Sequence, residues 1–296
     1  MNKNILNNFL NLSINRRKRI SSRNFFLRLI TNPDMFFQSI LSIILSKFDF
    51  CIPCKTDTFW GKRMKIFIPE VVSSEIRRYG YIEDSVASFI INYCHKGELV
   101  IDIGSHFGFF ALLMSEVVED KGSVHCFEPT PSTFSVLKKN TALNKNIVIN
   151  KNVVFDKNVD IELNDYGLAS SAFNSIKETR QKKYYARSIG SKIKVKAIKL
   201  DDYVISKKLK PTLIKIDAES SEHLVLKGMD YILSELKPNL CIEFGDLGVK
   251  GVLQSRETIN YLIEKYGYKT YEMNAGKLKK HKLQDKYSYI NLFFKK

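Results

Sequence analysis

The chain has 296 residues, 44% of them apolar, and a formal net charge of +16. That apolar fraction is ample for a buried core, so a disordered chain is excluded, and the length admits one large domain or two small ones. Its five scattered cysteines are too few for a disulfide framework and read as thiols of a reducing compartment.

The charge is uneven. Residues 1–65 carry twelve Lys/Arg against three Asp/Glu, and residues 66–296 carry thirty-five against twenty-eight. An anionic partner and a merely lysine-rich surface both account for such an excess; the frequent Lys, Asn and Ile favour the second.

Residues 1–60 read as a basic, helical N-terminal extension and residues 61–296 as one domain. Residues 1–30 hold seven basic residues and no acidic one, with Arg16-Arg17-Lys18-Arg19 among them. A short apolar run from Met35 to Leu45 follows and is interrupted at Lys47. It is shorter than the roughly 20 residues a membrane span needs. It also lacks the small-residue cleavage site of a signal peptide. A helix lying on an anionic membrane surface fits this composition; a helical arm packed on the domain or on a second subunit is the plainer reading. The expected location is cytoplasmic, or peripheral at the inner face of a membrane. Because the sheet begins later, deletion of residues 1–55 is expected to spare the cofactor site. Cys51 and Cys54 form a CxxC, but no second pair or HxxxH follows, so no metal site is expected.

Beyond residue 66 strands and helices alternate. Leu99-Val100-Ile101 is a short strand ending at Asp102, and Phe109–Val118 has helical periodicity. Ser123–Phe127 is a second strand, ending at Glu128, and Pro131–Asn140 a second helix. Ile147–Val154 reads as a third strand, Leu213–Ile216 as a fourth and Leu240–Phe244 as a fifth. A helix at 254–266 and late strands at Tyr268–Met273 and Tyr289–Phe294 complete a seven-stranded, mostly parallel, doubly wound α/β sheet. Ile193, Val195 and Ala197 alternate with lysines, the pattern of an edge strand protected by charge. Nine Lys/Arg against one acid between Lys177 and Lys199 leave an anion-binding role open there.

Three clusters carry chemistry. Val100-Ile101-Asp102-Ile103-Gly104-Ser105-His106-Phe107-Gly108 runs a strand into an acid, a glycine turn and a helix, where a ligand can approach the backbone closely. A carboxylate at that entrance disfavours a pyrophosphate and favours a cofactor with a cationic part, such as the ammonium of a methionine moiety. Glu128, at the next strand tip, can accept hydrogen bonds from ribose hydroxyls. Lys215-Ile216-Asp217-Ala218-Glu219-Ser220-Ser221-Glu222 delivers three carboxylates to one sheet edge, where ligands of open α/β sheets bind. A base, a metal clamp or helix capping would each use them.

Taken together, the segment from about Ile76 to Glu243 resembles the FkbM family of methyltransferases. The residues that carry the resemblance are Tyr79 to Glu83, VIDIGSHFGFF from Val100 to Phe110, and Phe127-Glu128-Pro129-Thr130-Pro131. They continue with Val195 to Asp202, KIDAESSE from Lys215 to Glu222, Val225-Leu226-Lys227-Gly228, and Pro238 to Glu243. The resemblance implies a class I Rossmann-like methyltransferase fold, S-adenosylmethionine as cofactor and O-methylation, often of a sugar, glycan or secondary metabolite. Two positions depart from the family pattern: His106 stands where Asn is usual, and Ser220 where Gly is usual.

On this reading Asp102 serves the methionine end, Gly104 and Gly108 allow close approach, His106 packs beside the cofactor, Glu128 takes the ribose and Asp156 lies on the adenine side. Glu219 is the favoured acceptor-side acid, with Asp217 and Glu222 as alternates; His223 is a weaker candidate base, more readily read as a surface histidine. Nucleic acid is disfavoured as a partner, because Asp217-Ala218-Glu219 stands where base methylases carry an Asn- or Asp-Pro-Pro-aromatic turn. An RNA methyltransferase, a cofactor-binding module without activity and a dinucleotide oxidoreductase are the rival readings. A homo-oligomer is left open.

Overall fold

The computed structural model describes residues 1–48, 50–176, 190–246, 253–274 and 276–296. It opens with three helices, α1 (Lys3–Ser21), α2 (Phe25–Thr31) and α3 (Pro33–Lys47), and a hairpin of β1 (Ile52–Asp57) and β2 (Arg63–Ile68). Helices α4 (Val71–Tyr79) and α5 (Asp84–Tyr93) lead to β3 (Leu99–Ile103), α6 (Phe109–Val118), β4 (Ser123–Phe127), α7 (Pro131–Thr141) and β5 (Ile147–Asn150). Then come β6 (Val153–Val154), β7 (Asp160–Asp165), a 3-10 turn at Leu168–Phe173 and β8 (Ser191–Ile198). The chain finishes with α8 (Leu200–Ser206), β9 (Leu213–Ile216), α9 (Glu222–Lys227), β10 (Asn239–Phe244), α10 (Ser255–Tyr266), β11 (Lys269–Asn274), β12 (Lys277–Lys280) and β13 (Ile290–Lys295).

Eight strands form the central sheet, in the order β12-β11-β13-β10-β9-β3-β4-β5. The five from β10 to β5 are parallel; β13 runs antiparallel to β10, β11 to β13 and β12 to β11, so β11 points the same way as the five. The chain steps outward from β3 in one direction and from β9 in the other, which makes the β3/β9 seam the switch point. The eighth strand, β12, is a correction to the seven expected. Three of its four residues are lysines, so no apolar pattern announces it; backbone pairing with β11 makes it a strand.

Both faces of the sheet are covered, which is why its central strands are apolar without alternation. One face buries Val100, Val124 and Cys241 beneath α5 and α6, and the other buries Ile101, Ile214 and Ile242 beneath α9 and α10. Helix α1 belongs to the first of these cores. Leu6 and Leu10 are fully buried there, and α1 packs on α5 with Lys3 Nζ donating to Asn92 O at 3.2 Å and Asn7 Nδ2 to Asn92 Oδ1 at 2.9 Å. The N-terminal segment is therefore an integral layer of the domain at its first helix. Deletion of residues 1–55, expected to spare the cofactor site, would therefore also uncover this part of the core.

Two further expectations change. The single strand read from Ile147 to Val154 is two: β5 pairs with β4 in the main sheet, whereas β6 turns away to pair with Ala197 and Ile198 of β8. Strand β8 is the middle strand of a small three-stranded sheet, not an edge. Its lysine face is solvated as expected, but Lys194 and Lys196 lie opposite Glu162 and Asp160 of β7. Lys192 Nζ lies 3.1 Å from Glu162 Oε2, so this face carries cross-strand charge pairing. The remainder of that basic stretch, 177–189, lies outside the described residues. Cys51 and Cys54 form no disulfide among the described residues.

The packing of α1 predicts that Leu6→Ala or Leu10→Ala costs about 2–5 kcal/mol, as for other core leucines. Urea unfolding measures it; a variant as stable as the parent would show that α1 is an appendage after all.

Candidate active site

A cleft of about 580 Å³ opens at the carboxyl edge of β3, β4, β9 and β10. This size is ordinary for a small-molecule site, about 300–1,000 Å³. The loop after β3 forms its floor and contains three residues in the left-handed region, Gly104 (φ 75°), His106 (φ 47°) and Gly108 (φ 92°). At Gly104 a Cβ would stand 1.9 Å from the Asp217 carbonyl oxygen, so only glycine lets the β3 and β9 loops touch. Gly108 does not line the cleft. Its Cβ would meet Leu137 at 2.7 Å, so this glycine seats the start of α6 against α7, and its expected part in close approach to the cofactor is corrected.

Histidine is among the few side chains that tolerate a left-handed backbone, which is how His106 can stand where the family carries Asn. Its ring stacks on Phe107, Nε2 lies 2.8 Å from Ser171 Oγ, and its amide donates to Glu128 Oε2 at 3.1 Å. Burial, and then the Lys215 charge, push its pKa down to about 3, so the ring is neutral. Glu128 sits at the tip of β4 and also accepts from Thr130 N–H, at 3.0 Å. Burial raises its pKa to about 7. Each carboxylate oxygen holds one amide and keeps a lone pair for a ligand.

At the β3/β9 seam, Asp102 and Lys215 are directly opposite in register. Lys215 Nζ lies 3.7 Å from Asp102 Oδ1 and 3.1 Å from Asp217 Oδ2, with the Phe110 ring 5.2 Å away. Burial works against the lysine charge, but the carboxylates of Asp217, Asp102 and Glu83 outweigh it and hold its pKa above the ordinary value. Asp102 is completely buried, has no hydrogen-bond donor on either side-chain oxygen among the described residues and does not line the cleft. Its expected direct contact with a cationic cofactor group is corrected: its partner is Lys215. Of the two aspartates that flank Lys215, Asp217 is the one that lines the cleft.

Beyond β9, Glu219 (φ 45°) and Ser220 (φ 75°) are consecutive left-handed residues. This explains why the family carries glycine at position 220, and such strain gathers at functional sites. Glu222 holds the loop: its Oε1 accepts from Ala218 N–H and Ser220 N–H, each at 3.1 Å. Burial raises its pKa to about 7. Glu222 also lines the cleft, so it braces this loop through Oε1 and stays among the acids of the acceptor side. Glu219 lines the cleft; His223 is buried on α9, away from the lining, rather than at the surface.

Glu83, Lys215, Glu243 and Tyr289 also line the cleft; they carry no site role expected from the sequence, although the first three stand in the segments that carry the family resemblance. Glu83 accepts from Asn291 Nδ2 at 3.0 Å, and Glu243 from Tyr289 Oη. Oxygens of Glu83, Asp217 and Glu243 lie within 4.8 Å of one another. Shared protons or a cation would relieve their repulsion. Burial, and then the Asp217 charge, push Glu83 to about 7 and Glu243 well above the usual carboxylate range. A legible signal existed for Glu243, which ends a parallel strand one step beyond the Ile242–Ile216 pair, so it falls at the same edge as Asp217. Asp156 moves the other way. It is carried off by β6 and does not line the cleft, where Asn152 stands instead.

The residues fit S-adenosylmethionine: a glycine cradle at the switch point, a buried carboxylate with free lone pairs, and an acidic lining inside a basic protein. This fold and this site define a class I S-adenosylmethionine-dependent methyltransferase. The family model for the methyltransferase FkbM domain matches residues 102–270, more than half of the chain, and the chain belongs to that family. Among solved structures, it is similar to methyltransferase FkbM from Methylobacillus flagellatus KT, with 19% identity and a TM-score of 0.42, over 67% of this chain and 43% of that one. The chain thus spans less than half the length of that relative. An S-adenosylmethionine-dependent O-methyltransferase from Thermotoga maritima has 11% identity and a TM-score of 0.40, over 82% and 77% of the two chains. Aeropyrum pernix fibrillarin with natively bound S-adenosylmethionine has 9% identity and a TM-score of 0.40, over 71% and 73%. No curated protein matches the chain.

Lys215→Met would leave two carboxylates at the seam without their counter-ion. It is predicted to cost about 3–5 kcal/mol, the usual penalty for breaking a buried pair from one side. Thermal unfolding tests this; a neutral outcome would mean that Asp102 is already protonated in the fold.

Proposed function

We propose that the chain is an S-adenosylmethionine-dependent O-methyltransferase acting on a hydroxyl of a sugar, glycan or secondary metabolite. The observation that carries this reading is the sign of the cleft. In a protein of net charge +16, the acceptor side is lined by Glu83, Asp217, Glu219 and Glu243. Carboxylates are acceptors for a hydroxyl-rich, uncharged ligand and repel a phosphodiester. The basic charge of the chain therefore does not make it a nucleic-acid enzyme.

When bound, S-adenosylmethionine supplies an electrophilic methyl group. Asp217 would hold the ammonium end, Gly104 would give close backbone approach, Glu128 would accept from the ribose hydroxyls, and Asn152 with Phe173 would flank the nucleobase. Methyl transfer needs an acceptor oxygen in line and a group to take its proton. Glu219, held in its left-handed loop by Glu222, presents a carboxylate at the acceptor side and is the proposed base. Glu243 and Tyr289 bond to each other beside it and would orient the acceptor.

Two measurements follow. Glu128 must be ionised to accept from both ribose hydroxyls. With its pKa raised to about 7 in the free protein, binding should release protons, and affinity should rise between pH 6 and pH 8. Calorimetry at the two pH values should show a shallower slope for Glu128→Gln; an identical slope would remove Glu128 from the ribose site. Glu219→Gln keeps the shape and removes the charge. With an acceptor found by screening sugars and glycan fragments with labelled cofactor, kcat should fall by about 10²- to 10⁴-fold while cofactor affinity holds. Turnover at the parent rate would reassign proton removal to Glu83 or Glu243.

A further inference from the structure

Helix α3 is built inside out. Its buried positions are Gln38 and Leu45. Gln38 Nε2 donates to Ser74 O at 3.4 Å, and Ser39 Oγ accepts from Arg78 Nη2 at 3.0 Å. These polar groups fasten α3 to α4, and the apolar ones face out. Phe37 is 67% exposed and Ile43 59%. Helix α2 has no buried residue at all, with Phe26 at 73% and Ile30 at 76%, and Phe48 just beyond α3 stands at 78%. Isolated exposed apolar residues are ordinary, whereas a contiguous set on two successive helices marks a covered face.

The charge around that face says what covers it. Arg16, Lys18, Arg19 and Arg28 are exposed beside it, and Asp34 is the one acidic residue of positions 1–48. A second copy seated here would bring like charges together; an anionic lipid surface would be attracted, with the apolar side chains entering the acyl boundary. Neither helix alone is long and apolar enough to cross a membrane; only the two together reach that length and hydropathy, and a bend of 104° at their junction interrupts them.

We propose that α2 and α3 form a docking face that seats the enzyme on an anionic lipid surface. Helix α4, which α3 grips through Ser74 and Arg78, also supplies Val72 and Glu75 to the cleft wall. The contact with α3 and the cleft wall therefore share one helix, with Ser74 and Glu75 adjacent along it. The inference is independent of the acceptor's identity, because its test needs neither substrate nor turnover.

The test is flotation of the full chain with vesicles of phosphatidylcholine, with and without phosphatidylglycerol. Binding should require the anionic lipid and weaken as salt rises. The triple variant Phe26→Ser, Ile30→Ser, Phe37→Ser should lose binding by about tenfold or more. Its melting temperature and cofactor affinity should be unchanged, since none of the three side chains is buried. Arg19→Gln with Arg28→Gln should reduce the binding and its salt dependence together. Failure to float with either vesicle, or equal binding by the triple variant, overturns the proposal. So does a stable dimer in sedimentation that the triple variant converts to monomer, which would make the face a protein interface instead.

Discussion

The Nζ of Lys215, buried between Asp102 and Asp217 where β3 meets β9, is the group on which the rest of the site depends. A parallel sheet ends all its strands at one edge, and four of these ends carry acids. Without a cation beneath them, Asp102 could not remain charged in a core that gives it no hydrogen bond, and Asp217 would face Glu83 and Glu243 uncompensated. Burying an ion pair is costly in itself. Here it fixes the register of the two central strands and lets the carboxyl edge stay acidic enough to attract a cationic cofactor.

Strain is concentrated on the same edge. His106, Glu219 and Ser220 adopt left-handed conformations that side chains avoid, and the surrounding contacts hold them. The amide of His106 is tied to Glu128, and the amides of Ala218 and Ser220 are tied to Glu222. Two glutamates singled out in the sequence, Glu128 for the ribose and Glu222 for the acceptor side, thus have backbone duties. For Glu128 the duty is compatible with holding a ligand as well, because spare lone pairs remain.

Charge is segregated across the molecule. The outside is basic, most of all over the first helices, and the cleft is acidic. On the proposed functions these are separate devices: the cleft selects what is held, and the basic exterior with its apolar helices sets where the protein resides. Helix α1 joins the two, since its apolar side completes a core under α5 while its last turn supplies Lys18 and Arg19 to the exterior and Arg17 to the cleft lining.

The sequence by itself determined the α/β class, the central strands and the family. Buried parallel strands are continuous apolar runs that end on acids, and local patterning reads such runs well: Ser123–Phe127 and Leu213–Ile216 were legible to the residue. It also determined that Glu128, Asp217 and Glu219 face one cleft, because strand ends of a parallel sheet must share an edge. Only the tertiary structure decided that Asp102 is answered by Lys215, that Glu83, Glu243 and Tyr289 join from distant segments, and that Asp156 is carried away by a broken strand. It also decided that α1 is core while α2 and α3 turn their apolar sides outward. The reason is physical. Composition and period report what a residue prefers, but the partner that satisfies a buried charge, or covers an apolar face, is set by contacts between segments far apart in the chain.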